Sequence, residues 1–304
     1  MNSSTNRSMI HWPDELVDDI ARRRSVIYLG AGVSASSKNK EGKSPPTWDE
    51  FLRGALSHVE QNAKNNGHIE VVKKLIETKE YLMACDIIVD LLGDREFANL
   101  ADQSFRNEYE TNELHKKIYV LDSRFVMTSN VDLIYEAYAM NESRQGAITK
   151  TYDDDDIARF LRPKTKDYLI IKAHGSIEKP NTLIFTQSQY SRVRNIHSSF
   201  YKILDALLLT HTFIFLGCGV KDPDIQLALE NLNFNFNGAK PHYMVIPSDG
   251  MSDAEERCLE RNRNLKFLKY NNDDGKHSNL LDELNKLCQL VEDRREELGK
   301  ITAW

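Results

Sequence analysis

Apolar residues fall into two kinds of run along this chain. Short continuous runs occur in SVIYLG (25–30), RFVMTSN (124–130), DYLIIKAHG (167–175), THTFIFLGCGV (210–220), HYMVIP (242–247) and LKFLKY (265–270). Each reads as a strand buried on both faces. LIFT (183–186) reads as a further short strand. Between these runs the apolar spacing is helical, predicting helices at 14–24, after Thr47, at 131–140, at 198–209, after Asp222, between the last two strands, and at 279–297. Thr47-Trp48-Asp49-Glu50 reads as a capping box, and Asp222-Pro223 as a cap followed by a first-turn proline. Residues 69–120 show helical periodicity throughout and no strand, which predicts three to five helices. Apolar strands alternating with helices predict an α/β fold, a doubly wound, mostly parallel, Rossmann-like sheet. The expectation is one domain over residues 1–304 with a helical insert at about 64–120.

Composition narrows the classes. Apolar residues make up 40% and charged residues 28%, so the chain can bury a core and reads as an ordinary globular protein. A net charge of -6 argues against a duplex-DNA footprint, and no direct nucleic-acid binding is expected. Arg22-Arg23-Arg24 reads either as a local basic patch or as the solvated end of a helix. Asp153–Asp156, the one acidic block, reads as a helix cap or a solvated face. The four cysteines form no C-x-x-C pair, so no metal site is expected, and they read as reduced thiols of a cytoplasmic protein. No apolar leader is readable, and the longest apolar stretch is too broken to span a bilayer.

Four segments could carry chemistry. Gly30-Ala31-Gly32-Val33-Ser34 follows a strand. Its glycines suit a tight turn with backbone N–H groups open to a phosphate, or simply a tight turn. The third glycine of a dinucleotide fingerprint is replaced by Ala35. Gly217-Cys218-Gly219 ends a later strand. Strand ends line one edge of a doubly wound sheet, so both turns converge on one crevice. Thr128-Ser129-Asn130-Val131-Asp132 is either a helix cap or a polar cluster at that edge. His174-Gly175 ends another strand at the same edge, and the glycine leaves space beside the imidazole.

GAGVS, TSNVD, HG and GCG resemble, in order and approximate spacing, the motifs of the sirtuin NAD-binding domain. Pro46-Thr47-Trp48 and Asp222-Pro223 are similar to features of bacterial sirtuin-like proteins of anti-phage defence systems. The resemblance implies NAD as substrate, with no metal. It places Gly30, Ala31, Gly32 and Ser34 on the pyrophosphate and Asn130 and Asp132 on the nicotinamide ribose. It places His174 beside that ribose and Gly217, Gly219 and Asp222 on the adenosine side. The chain departs from sirtuin deacylases. It lacks their four-cysteine zinc module, their peptide clamp and the P-D-F-R cofactor loop, and Ser129 stands where they have Gln.

These departures imply an NAD+ hydrolase that cleaves the nicotinamide–ribose bond through water. Asn130 would hold the water and His174 would accept a proton; histidine titrates near neutral pH, at roughly 6.5. The resemblance further implies NAD depletion that arrests an infected cell (abortive infection). It also implies a homo-oligomer and a protein activator, such as a HerA-type ATPase or an Argonaute-like protein, in the cytoplasm away from membranes. Two alternatives stand beside this: an NAD-dependent protein deacylase or ADP-ribosyltransferase, and a non-catalytic nucleotide-sensing assembly subunit.

Overall fold

The computed structural model describes residues 10–62, 66–106, 108–143, 146–162, 168–219, 222–236 and 238–300. Seven strands, β1 (Ser25–Leu29), β2 (Phe125–Thr128), β3 (Ala147–Thr151), β4 (Tyr168–Lys172), β5 (Thr212–Leu216), β6 (His242–Pro247) and β7 (Leu265–Tyr270), form one sheet. The order is β3-β4-β2-β1-β5-β6-β7, and every neighbouring pair is parallel. The chain leaves β1 for β2 on one side and later returns to β5 on the other. The carboxyl ends of β1 and β5 are therefore the topological switch point, where such sheets bind ligands.

Helices cover both faces. On one lie α1 (Asp14–Ala21) and, from further along the chain, α7 (Glu113–Val120), α8 (Ile134–Glu142) and α14 (Ser278–Gly299). Between α1 and α7 run the short α2 (Ala31–Ser34), α3 (Trp48–Asn62), α4 (Asn66–Glu77), α5 (Tyr81–Leu92) and α6 (Asp94–Phe105). On the second face lie α9 (Ile157–Phe160), α10 (Gln187–Ile196), α11 (Ser198–Thr210) and α12 (Pro223–Asn235). α13 (Asp253–Arg263) links β6 to β7. The alternation along β1 shows why both faces must be covered: Ile27 and Leu29 enter one core, Val26 and Tyr28 the other. A strand with both faces apolar is stable only between two layers.

The helices α3 to α6 build a third core around Phe51, Leu52, Val72, Ile88 and Phe97, which packs against Val131, Ile177 and Phe185. Those three residues follow β2 and β4 in the chain, so these four helices rest against the carboxyl edge of the sheet. Phe185 meets Trp48, Phe51, Phe97 and Phe105 with ring centroids 5.5 to 6.3 Å apart. Edge-on and offset contacts at such distances suit aromatic quadrupoles.

One expectation needs correction, and one strand was missed. LIFT is extended but joins no strand: the Ile184 amide bonds to the His174 carbonyl at 3.2 Å, and Thr186 caps α10. β3 was not legible, because it is an edge strand of middling burial. In the acidic block, Asp154 accepts from the Thr151 amide at 2.7 Å and pairs with Lys179 at 3.0 Å. Glu50 and Thr47 form the expected capping box, with the Thr47 amide 2.8 Å from the Glu50 carboxylate.

Candidate active site

The two glycine turns meet at the switch point. The Gly30 amide donates to the Leu216 carbonyl and the Gly32 amide to the Gly217 carbonyl, each at 2.9 Å. Gly217 has φ of +63°, and a Cβ there would lie 2.5 Å from the Val33 nitrogen. A Cβ on Gly30 would lie 2.5 Å from the Gly217 oxygen. The glycines are thus required for backbone to approach backbone. This corrects one detail of the sequence reading: the amides of Gly30 and Gly32 are engaged by the second turn and are not open to a phosphate.

The end of β2 is tied to the first turn. The Thr128 hydroxyl donates to the Leu29 carbonyl at 2.9 Å and accepts from the Asn130 amide at 3.0 Å. The side-chain nitrogen of Asn130 then donates to the Gly30 carbonyl at 3.2 Å and to the Ser34 hydroxyl at 3.4 Å. A carbonyl can only accept, so this contact fixes which way the amide points. The Asn130 Oδ1 is left with no hydrogen bond among the described residues and is not enclosed. Asp132 accepts from the Ile134 amide, at the start of α8, at 3.0 Å.

His174 lies on the neighbouring strand at a matching depth. Thr128 pairs in register with Lys172, and the Ala173 amide donates to the Thr128 carbonyl at 2.8 Å. Asn130 and His174 each stand two residues beyond that register pair, at the same carboxyl edge. The His174 Nε2 is 3.1 Å from an Asp222 carboxylate oxygen. The Tyr190 hydroxyl is 3.2 and 3.3 Å from its two ring nitrogens, and the rings meet edge-on at 5.1 Å. Gly175 has φ of +81°, and a Cβ there would lie 2.1 Å from the Thr182 carbonyl. That glycine clears space for the backbone at Thr182.

Residues 124–268 match the family described as "SIR2-like domain". That span contains the ends of β2, β4 and β5, hence Asn130, His174, Gly217 and Asp222.

Just under half of the chain is thus similar to a sirtuin-like domain.

Among its relatives is the NAD(+) hydrolase ThsA of Enterococcus faecium, 22% identical over 82% of this chain and 49% of that protein. The NAD(+) hydrolase ThsA of Bacillus cereus (strain MSX-D12) is 22% identical over 91% of this chain and 56% of that protein. Defense-associated sirtuin 2 of Bacillus subtilis is 20% identical over 71% of this chain and 20% of that protein. The chain spans about half the length of the hydrolases it matches.

Beneath this site lies a charged cluster that the motifs did not reveal. Lys172 is fully buried; its ammonium donates to the Glu136 carboxylate and to the Asp132 carbonyl. Burial pushes the carboxyls of Asp132 and Glu136 above their ordinary values, against the opposing pull of Lys172. The Ser34 hydroxyl also favours the charged form of Asp132 and sits 3.4 Å from His115 Nε2. Burial pushes His115 down to about 4, so it is neutral near pH 7. One hydroxyl in the glycine turn thus joins Asn130, Asp132 and His115. A lysine inside the apolar run YLIIKA was the available signal for this cluster.

The other predicted residues divide. Ser34 is buried in the cluster, whereas Ala31 and Gly32 are exposed at the turn. Gly219 is exposed, and nothing lies within 4 Å of where its Cβ would be. Asp222, assigned by resemblance to the adenosine side, touches His174. Tyr190 had no signal in the sequence, because only the fold brings α10 over β4. Among the described residues no group of three or more His, Cys, Asp or Glu is placed to hold a metal, and no helix is long and apolar enough to cross a membrane.

Proposed function

We propose that this sirtuin-like chain binds NAD across the carboxyl edge of its sheet and hydrolyses the nicotinamide–ribose bond, giving nicotinamide and ADP-ribose. The observation that carries this reading is that Asn130 and His174 each stand two residues beyond the register pair Thr128–Lys172, at the carboxyl ends of adjacent strands. The names of the relatives, NAD(+) hydrolases, support the same reaction.

Nicotinamide leaves as a neutral pyridine, so the step needs little acid assistance. The C–N bond breaks with its electron pair passing to the pyridine nitrogen, through an oxocarbenium-like state. Water forms the new bond to C1′ and gives up a proton. Asn130, held by Gly30 and Ser34, offers Oδ1 to orient that water. His174 receives the proton. The glycine turn from Gly30 to Ser34, including Ala31 and Gly32, lies against the pyrophosphate, and Gly217 and Gly219 border the adenosine half. Asp132, buried and bonded to Ile134, fixes the Asn130 loop beside the ribose.

The biological reading is NAD depletion in anti-phage defence, in an oligomer switched on by a protein activator of the HerA or Argonaute-like kind. The test incubates the chain with NAD alone, with NAD and an acetylated peptide, and with NAD and a candidate activator. Nicotinamide and ADP-ribose in equal amounts without peptide are expected. Turnover that requires the peptide and yields an acylated ADP-ribose would replace this reading with a deacylase.

A further inference from the structure

The sequence offers Asp222 as a helix cap, and it is one. One carboxylate oxygen accepts from the Ile225 amide at 3.1 Å, and Pro223 opens α12. The other oxygen does something a cap does not require: it lies 3.1 Å from His174 Nε2. The two side chains are only 16% and 6% exposed, so water screens the pair weakly. The geometry points to Asp222 as the positioning residue for His174, accepting a hydrogen bond from the Nε2–H and leaving Nδ1 as the basic nitrogen of the ring.

Three features support this. A carboxylate has no proton to offer near pH 7, so the nitrogen facing it must carry one. Asp222 is itself immobilised, because its second oxygen starts α12, whose Ile225, Leu229 and Leu232 are buried under the sheet. Tyr190 then fixes the tilt of the ring, meeting it at 82° with its hydroxyl within hydrogen-bond reach. The other titratable groups close to Asp222, Tyr28 and Cys218, are both pushed well up by burial and remain neutral. A base oriented by a third group is the usual logic of an activated acid–base centre.

This inference rests on the hydrolase reading but is tested separately from it. Two variants keep a good helix cap: Asp222→Asn and Asp222→Ser. Nitrogen-15 NMR of the imidazoles gives the tautomer of His174 without any NAD. The wild type should show the Nε2-protonated form, and both variants should lose that preference. In nicotinamide release, kcat should fall about 100-fold in both, with KM within about twofold, as expected for weakened general-base catalysis. A wild-type tautomer in both variants overturns the assignment whatever their activity. A lost tautomer with unchanged kcat also overturns it, reducing Asp222 to a cap. If the wild-type chain releases no nicotinamide with or without an activator, the hydrolase reading fails, and the NMR result alone decides whether Asp222 sets the ring.

Discussion

The side-chain amide of Asn130 donates to the carbonyl of Gly30 at 3.2 Å, across 100 residues of sequence. Through that bond the end of β2 locks the turn that ends β1, and the turn locks the amide. The arrangement predicts the consequence of an isosteric change. Asn130→Asp keeps the shape but has no proton for Gly30, and it sets a negative charge against a carbonyl. Nicotinamide release should fall at least about 100-fold, while circular dichroism stays at wild type. Activity within about threefold of wild type would show that the amide's orientation is immaterial.

Gly217 makes a second prediction. Its φ of +63° and the 2.5 Å gap between a Cβ and the Val33 nitrogen leave no room for a side chain. Gly217→Ala should cost about 1–3 kcal/mol in chemical denaturation. It should also raise KM for NAD more than it lowers kcat, because the two turns would separate. Gly219→Ala is the contrast: nothing lies near its Cβ position, and stability should remain within about 0.5 kcal/mol.

The layered parallel fold was legible because its physics is local. SVIYLG and YLIIKA are too apolar for a half-exposed strand, and glycines mark where β1 and β5 end. β3 escaped because AITKT at a sheet edge has neither continuous apolar burial nor clean alternation. Asn130 and His174 were legible as strand-end residues. Their surroundings were not: Asp222, Tyr190 and Ser34 reach the two residues only through the fold. Asp222 in particular advertised a cap, and one of its two oxygens does cap. Which of the two readings of Gly30 and Gly32 holds for their amides was not legible for the same reason. A glycine motif reports freedom of the backbone, not which neighbour will occupy it.

The buried cluster predicts a pH dependence. Lys172→Met leaves Glu136 and Asp132 without their cation and should cost about 3–5 kcal/mol near neutral pH. Both carboxyls already have raised folded values with Lys172 present. A carboxyl raised on folding favours the fold below its unfolded pKa and loses that contribution as pH rises through its folded value. Removing the ammonium raises both further. The variant's deficit should therefore be largest at about pH 8 and shrink toward about pH 5, as read by denaturant midpoints. A deficit that is flat or grows on acidification would mean that the carboxyls are not held by Lys172.

The most direct measurement is the initial rate of nicotinamide release from NAD by wild type, Asn130→Ala and His174→Ala, at equal concentration, with folding checked on the same samples. With any activator the wild type needs supplied to all three, it should release nicotinamide and ADP-ribose one for one, and each variant should be at least about 100-fold slower. A folded variant that matches the wild-type rate would contradict the claim that these two neighbouring strand ends act on one sugar.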